Sequence, residues 1–314
     1  MNLKTIYQPI EKDLVEVDTI IKKSLNNFDN KSLLKINQYL LDSLGKRIRP
    51  GLVILSAKAV NNGVSNVAKI AAAMELIHMA SLLHDDVMDN SSLRHNQPTV
   101  NAKFGDGIPI GLGDYLYSTA FELIADSGDN DLMKSVVSAV KEMSEGQLLQ
   151  VLQRGNLDLS KEQYLTFVEK KTASLFAASC EVGGLNRELK QFGLNFGIAF
   201  QIIDDYMDLM GEEKKLGKGV QQDLSVGEVT LPLIYLFEEI PDKEKKELKA
   251  LLSSKDKKVG DTIRSRLTSS GADKITKKVI NSYLDKAKES LVNLEDSMYK
   301  ESFIQLVDFV QEKC

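Results

Sequence analysis

Residues 67–89 read VAKIAAAMELIHMASLLHDDVMD, and this stretch decides the fold class. Apolar positions recur at helical spacing, Ala, Met and Leu dominate, and no proline interrupts, so one long helix is predicted over Val67–Met88. It runs into three aspartates, Asp85, Asp86 and Asp89. Positions i and i+4 share a helix face one turn apart, so Asp85 and Asp89 project together with Asp86 to one side. Three like charges on an apolar helix repel one another and lose hydration if buried, and a bound cation relieves both penalties.

The pattern occurs twice. QIIDDYMD sets Asp204, Asp205 and Asp208 at the same spacing. Capping carboxylates at a helix end would account for one such cluster, but not for two inside apolar helices. Oxygen-only donors without paired Cys or His select a hard cation, and Mg²⁺ typically takes one or two carboxylates while a phosphate supplies further oxygens. A magnesium diphosphate is therefore the expected occupant.

Helical spacing also recurs over 132–152, 161–182 and 194–210, and amphipathic helices with solvated faces are predicted over 243–314. The six prolines fall at expected element edges, leaving 110–231 free of them. No glycine-rich phosphate loop follows a strand, which removes the usual nucleotide-binding folds. With 314 residues, 43% of them hydrophobic and 27% charged, one large all-helical domain is the simplest organisation. No apolar run approaches the roughly 18 residues of a spanning helix, and acids interrupt the first residues where a signal peptide would be apolar, so a cytoplasmic location is expected. Forty basic against 45 acidic residues give 40 − 45 = −5, which argues against a nucleic-acid surface and leaves anionic ligands to a local basic pocket. Cys180 and Cys314 have neither metal-ligand nor disulfide spacing.

Cations that could complete a diphosphate site are Lys46, Arg47 and Arg49 in LGKRIRP, then Arg94, Lys171 and Lys218. Arg presents a planar fork to phosphate oxygens. All three histidines, His78, His84 and His95, lie around the first acidic cluster. His78 sits two turns before Asp85 on the same face, and His84 reads as packed rather than ligating.

Together, GKRIRP, HMASLLHDDVMD with Arg94 and QPT, GDYLYSTAF, KTASLF, FQIIDDYMD, LGK and VTLPL resemble the trans-isoprenyl diphosphate synthases, or polyprenyl synthetases, over about residues 44–235. The resemblance implies a bundle of long helices around a deep central cavity, with Asp85, Asp86, Asp89, Asp204 and Asp205 holding magnesium and Asp208 beside them. About three Mg²⁺ ions, replaceable by Mn²⁺, are implied with diphosphate bound. It further implies that Arg94, Lys171 and Lys218 hold the allylic diphosphate, that Lys46, Arg49 and His78 hold isopentenyl diphosphate, and that Thr172 and Gln201 face the reacting carbons. The implied reaction is ionisation of the allylic diphosphate, condensation with isopentenyl diphosphate and proton loss to the released diphosphate. No covalent nucleophile is needed.

In such enzymes, residues one turn before the first cluster line the tunnel for the growing chain. Here they are the small Ala80 and Ser81, with Ile77 and Met74 deeper. A homodimeric long-chain synthase using a farnesyl or geranylgeranyl primer, with peripheral membrane contact for product release, is the leading expectation. A short-chain synthase, a weakly active partner subunit of a two-component synthase and a cyclising terpene synthase are the alternatives. Two positions depart from the family pattern, His95 and Glu228, where basic residues are usual; both remove positive charge near a diphosphate.

Overall fold

The computed structural model describes residues 2–42, 45–61, 66–94, 97–211, 222–253 and 259–314. Helices α1 (Leu3–Ile6), α2 (Glu11–Leu25) and α3 (Lys31–Asp42) lead to α4 (Ile48–Ala59) and α5 (Val67–Met88). A two-residue ladder follows, β1 (Leu93–Arg94) antiparallel to β2 (Gln97–Pro98), the only sheet among the described residues. Next come α6 (Val100–Phe104), α7 (Gly107–Ala125), α8 (Asn130–Leu152), α9 (Lys161–Val168), α10 (Ser174–Gly184) and α11 (Arg187–Met210). After α12 (Gln222–Ser225) and α13 (Leu231–Glu239) come α14 (Asp242–Ser253), α15 (Val259–Ser270), α16 (Ala272–Glu289) and α17 (Met298–Gln311). The all-helical class is as the periodicity predicts.

Local chemistry sets the boundaries. Asp129 accepts the amides of Asp131 and Leu132 to start α8, and Asn186 accepts that of Leu189 at 2.9 Å to start α11. Ser160 and Gln163 form a reciprocal capping box at α9. Each cap satisfies amide donors that a helix start otherwise leaves without partners.

At the centre lies α5, packed against α7, α4, α2 and α10, with every residue from Ile70 to Ile77 buried. One expectation is amended here. An 18-residue window of α5 has mean hydropathy 1.3, enough by length and composition to cross a membrane, yet 61% of that window is buried within the protein. A helix apolar on all sides suits the middle of a helical core equally well.

The continuous helix predicted over 161–182 is interrupted. Glu169–Ala173 forms a π-helical turn between α9 and α10, and two glycines draw neighbouring helices onto it. A Cβ at Gly146 of α8 would lie 2.3 Å from the Lys171 backbone nitrogen. One at Gly197 of α11 would lie 2.7 Å from Ala173 Cα. Only glycine permits these approaches, and they fix Lys171 and Thr172 between α8 and α11.

Candidate active site

The first cluster ends α5, and cations of the chain itself surround it. Arg94, on β1, grips Asp86 as a fork: Nε donates to Oδ1 and Oδ2 at 3.1 and 3.2 Å, and Nη2 to Oδ1 at 2.8 Å. Arg154, in the turn after α8, is ion-paired to Asp89 and also donates to Glu228 at 3.1 Å. Lys171 lies 3.9 Å from Asp85 and donates to Gln150 at 2.7 Å, while Gln150 donates to Glu228 at 2.6 Å. The repulsion foreseen among the three aspartates is thus relieved first by guanidinium and ammonium groups. Even so, burial pushes the Asp85 carboxyl up, with Lys171 opposing and Asp89 reinforcing the shift.

On α11 the second cluster divides by exposure. Asp204 is exposed, while Asp205 and Asp208 are buried. Asp205 accepts from the buried Tyr164 hydroxyl at 2.5 Å and from Gln201 Nε2 at 2.7 Å. Burial nevertheless pushes it up to about 7, the two hydrogen bonds opposing. Asp208 accepts the Gln222 and Asp223 amides at 3.2 Å each, which anchors the start of α12. Gln201 in turn accepts from Thr172 at 2.7 Å, so the π-turn and α11 are joined at the pair expected to face the reacting carbons.

Charge links the two clusters. Burial alone would lower the Arg94 pKa, but Asp86, Asp85 and Asp204 together raise it, so this guanidinium lies in the field of both. A second group of cations flanks Asp204. Lys46 is exposed. Lys313, following α17, is lowered to about 8 by burial and by the adjacent Lys46 ammonium, with Asp204 opposing. Two ammonium groups side by side are a place for an anion. Arg49 stacks 4.4 Å over the Phe176 ring, and its buried Nε has no hydrogen-bond partner. His78 lies two turns before Asp85, half-buried on α5. Lys218 and His95 fall outside the described residues.

These residues fit a magnesium diphosphate in kind. The available donors are carboxylate oxygens, and the orphaned Arg49 donor and the Lys46–Lys313 pair call for an anion. Among the described residues no three carboxylates or histidines converge into a ready-made metal cage. A family model, polyprenyl synthetase, matches residues 30–267. The chain belongs to the polyprenyl synthetase family.

Both short- and long-chain enzymes stand among this polyprenyl synthetase's relatives. It is 36% identical over 254 residues to a short chain isoprenyl diphosphate synthase of Methanothermobacter thermautotrophicus, covering 77% of this chain and 78% of the relative. To the octaprenyl diphosphate synthase of Escherichia coli K12 it is 35% identical over 243 residues, 75% of each chain. Its fold superposes on a polyprenyl synthase of Caulobacter crescentus, solved with calcium and isoprenyl diphosphate, at TM-score 0.94 and 29% identity, covering 100% and 98% of the two chains.

Four residues at the site escaped the sequence reading. Tyr164, Gln150 and Arg154 carry no motif; they reach the clusters only through helix packing. Lys313 lies 267 positions after Lys46 (313 − 46), and nothing in the spacing joins them. Glu228, which removes positive charge from the neighbourhood, is ion-paired to Arg154 in the structure.

Proposed function

We propose that this polyprenyl synthetase is a magnesium-dependent prenyltransferase that condenses isopentenyl diphosphate with an allylic diphosphate to an all-trans polyprenyl diphosphate. The observation that carries the reading is the pair of aspartate clusters on α5 and α11, the first gripped by Arg94 and flanked by Lys171. Asp85, Asp89 and Asp204 are the metal ligands in this reading. Asp86, Asp205 and Asp208, each engaged by Arg94, Tyr164 with Gln201, or backbone amides, orient the clusters from behind. About three magnesium ions complete the site.

When bound, magnesium offsets the charge that develops on the departing diphosphate. Arg94, Lys171 and Lys218 grip that diphosphate and leave negative charge stabilised without reorganisation of solvent. Lys46, Arg49, His78 and Lys313 hold isopentenyl diphosphate, with Arg49 kept in line by its stack on Phe176. Thr172 and Gln201 present a fixed polar edge to the reacting carbons. The released diphosphate takes the proton, so no side-chain base is required.

A long-chain product is favoured by Ala80, fully buried and small, and by Ser81, whose hydroxyl is turned back onto the His78 carbonyl at 2.8 Å. A short-chain product is the second reading, because Tyr117 of α7 lies beside α5, its ring 5.8 Å from that of His84. The enzyme is proposed to act as a homodimer. Val137, Leu148 and Leu152 lie on one face of α8 and are 46%, 62% and 78% exposed, an apolar stripe suited to a second copy.

Incubation with labelled isopentenyl diphosphate, farnesyl diphosphate and Mg²⁺, followed by chain-length analysis, tests the reading. Products longer than geranylgeranyl support the long-chain form and shorter ones the second reading. Absence of elongation with every allylic primer refutes the activity, and elongation undiminished by EDTA refutes the metal requirement.

A further inference from the structure

Arg154 occupies an unusual position for a cation that no motif predicts. It lies in the turn after α8, and the Gly155 amide donates to the Gly227 carbonyl at 2.7 Å, which straps this turn to the segment before α13. Both glycines have positive φ, 77° and 81°, so the two segments meet in a conformation other residues rarely adopt. The strap brings Arg154 and Glu228 together. Glu228 accepts from Arg154 Nη2 at 3.1 Å and from Gln150 Nε2 at 2.6 Å. The same Nη2 is bonded to Asp89, and Nη1 donates to the Met88 carbonyl at 3.2 Å.

Asp89 is the C-cap of α5, where unsatisfied carbonyls and the helix dipole already favour a positive charge. Arg154 supplies that charge to both kinds of acceptor at once. We propose that Arg154 is a positioning residue that locks Asp89 as an internal cation, and that metal enters the first cluster only by displacing it. The inference rests on reading Asp89 as a magnesium ligand. Displacement is feasible because the guanidinium is shared: on leaving Asp89 it keeps Glu228 and does not become an unpaired, partly buried cation. Glu228 is then the second seat of a two-position side chain, which gives a role to a carboxylate where the family usually carries a basic residue.

The experiment measures Mn²⁺ binding from the electron paramagnetic resonance of free Mn²⁺, with and without inorganic diphosphate, for the wild type, Arg154→Gln and Arg154→Lys. Removing the competing charge is expected to tighten binding of Mn²⁺ alone about tenfold in Arg154→Gln. Arg154→Lys, which keeps the charge, is expected to stay within about threefold of wild type. Binding of Mn²⁺ alone that is unchanged or weaker in Arg154→Gln, in a variant with wild-type circular dichroism and melting temperature, overturns the lock. A loss confined to the Mn²⁺–diphosphate complex overturns it as well, by making Arg154 a diphosphate ligand. Failure of the wild type to take up Mn²⁺ even with diphosphate removes the metal reading itself, and so separates the two failures.

Discussion

Gly146→Ala tests whether helix packing positions Lys171, the lysine proposed to hold the allylic diphosphate. The added Cβ would meet Lys171 N at 2.3 Å, Lys171 Cα at 2.8 Å and Lys170 C at 2.9 Å. Ordinary contact begins at 3.4 Å, so the closest pair falls short by 3.4 − 2.3 = 1.1 Å. All three obstructing atoms are backbone and cannot rotate away, so α8 and the π-turn must separate by about that distance. Overpacking of this kind costs about 1–3 kcal/mol, and the better helix propensity of alanine returns about 0.5–1 kcal/mol. The net effect is a melting temperature lower by a few degrees, on the order of 2–4 °C per kcal/mol or less for a chain this long. The functional loss is larger. Moving Lys171 by about 1 Å relative to Asp85 and Gln150 costs on the order of 10- to 100-fold in kcat/KM for the allylic substrate. Steady-state kinetics with varied farnesyl diphosphate, beside a thermal melt, reads both. A variant that melts lower yet keeps kcat/KM within about twofold would show that Lys171 does not depend on this contact, and the reasoning would fail.

Three further outcomes are expected. Ala80→Phe places a bulky ring one turn before Asp85 and is expected to shorten the product distribution, read by chromatography of dephosphorylated products; an unchanged distribution removes Ala80 from the proposed tunnel. Lys313→Ala raises KM for isopentenyl diphosphate about tenfold, the worth of one charge-assisted contact, with the allylic KM little changed; equal effects on both substrates would place Lys313 elsewhere. The last concerns pH. Burial raises Asp205 to about 7 and also raises Asp85, so the metal-free fold holds protons that the unfolded chain releases near about pH 4. Its stability therefore falls as pH rises from that range through about 7. Magnesium with inorganic diphosphate relieves the charge only where the carboxyls are ionised, so the rise in melting temperature on adding them should be larger at about pH 8 than at about pH 6, and EDTA should abolish it. Equal shifts at both values would refute the linkage.

The two acidic clusters of the candidate site are legible in the sequence. Local spacing sets Asp85 with Asp89, and Asp204 with Asp208, one turn apart, because a helix has only one way to present i and i+4; in the fold, however, Asp204 is exposed while Asp208 is buried against the amides of α12. The long helix over Val67–Met88 followed from composition and the lack of proline, and it ends at Met88 as predicted. Spacing alone did not divide the aspartates by environment. Asp86 is turned to Arg94, Asp205 to Tyr164, and Asp208 to the amides of α12, because each meets a different neighbour brought from elsewhere in the chain.

The sequence by itself determined the helical class, the two acidic clusters and the cations in the segments that resemble the family, since these depend on residues a few positions apart. Only the tertiary structure decided the π-turn under Lys171, the Tyr164–Asp205 and Arg154–Asp89–Glu228 contacts, and the meeting of Lys46 with Lys313. Each of these joins residues that no helical period connects. Their distances are set by how closely whole helices approach, and at Gly146 and Gly197 that approach depends on the absence of a single Cβ.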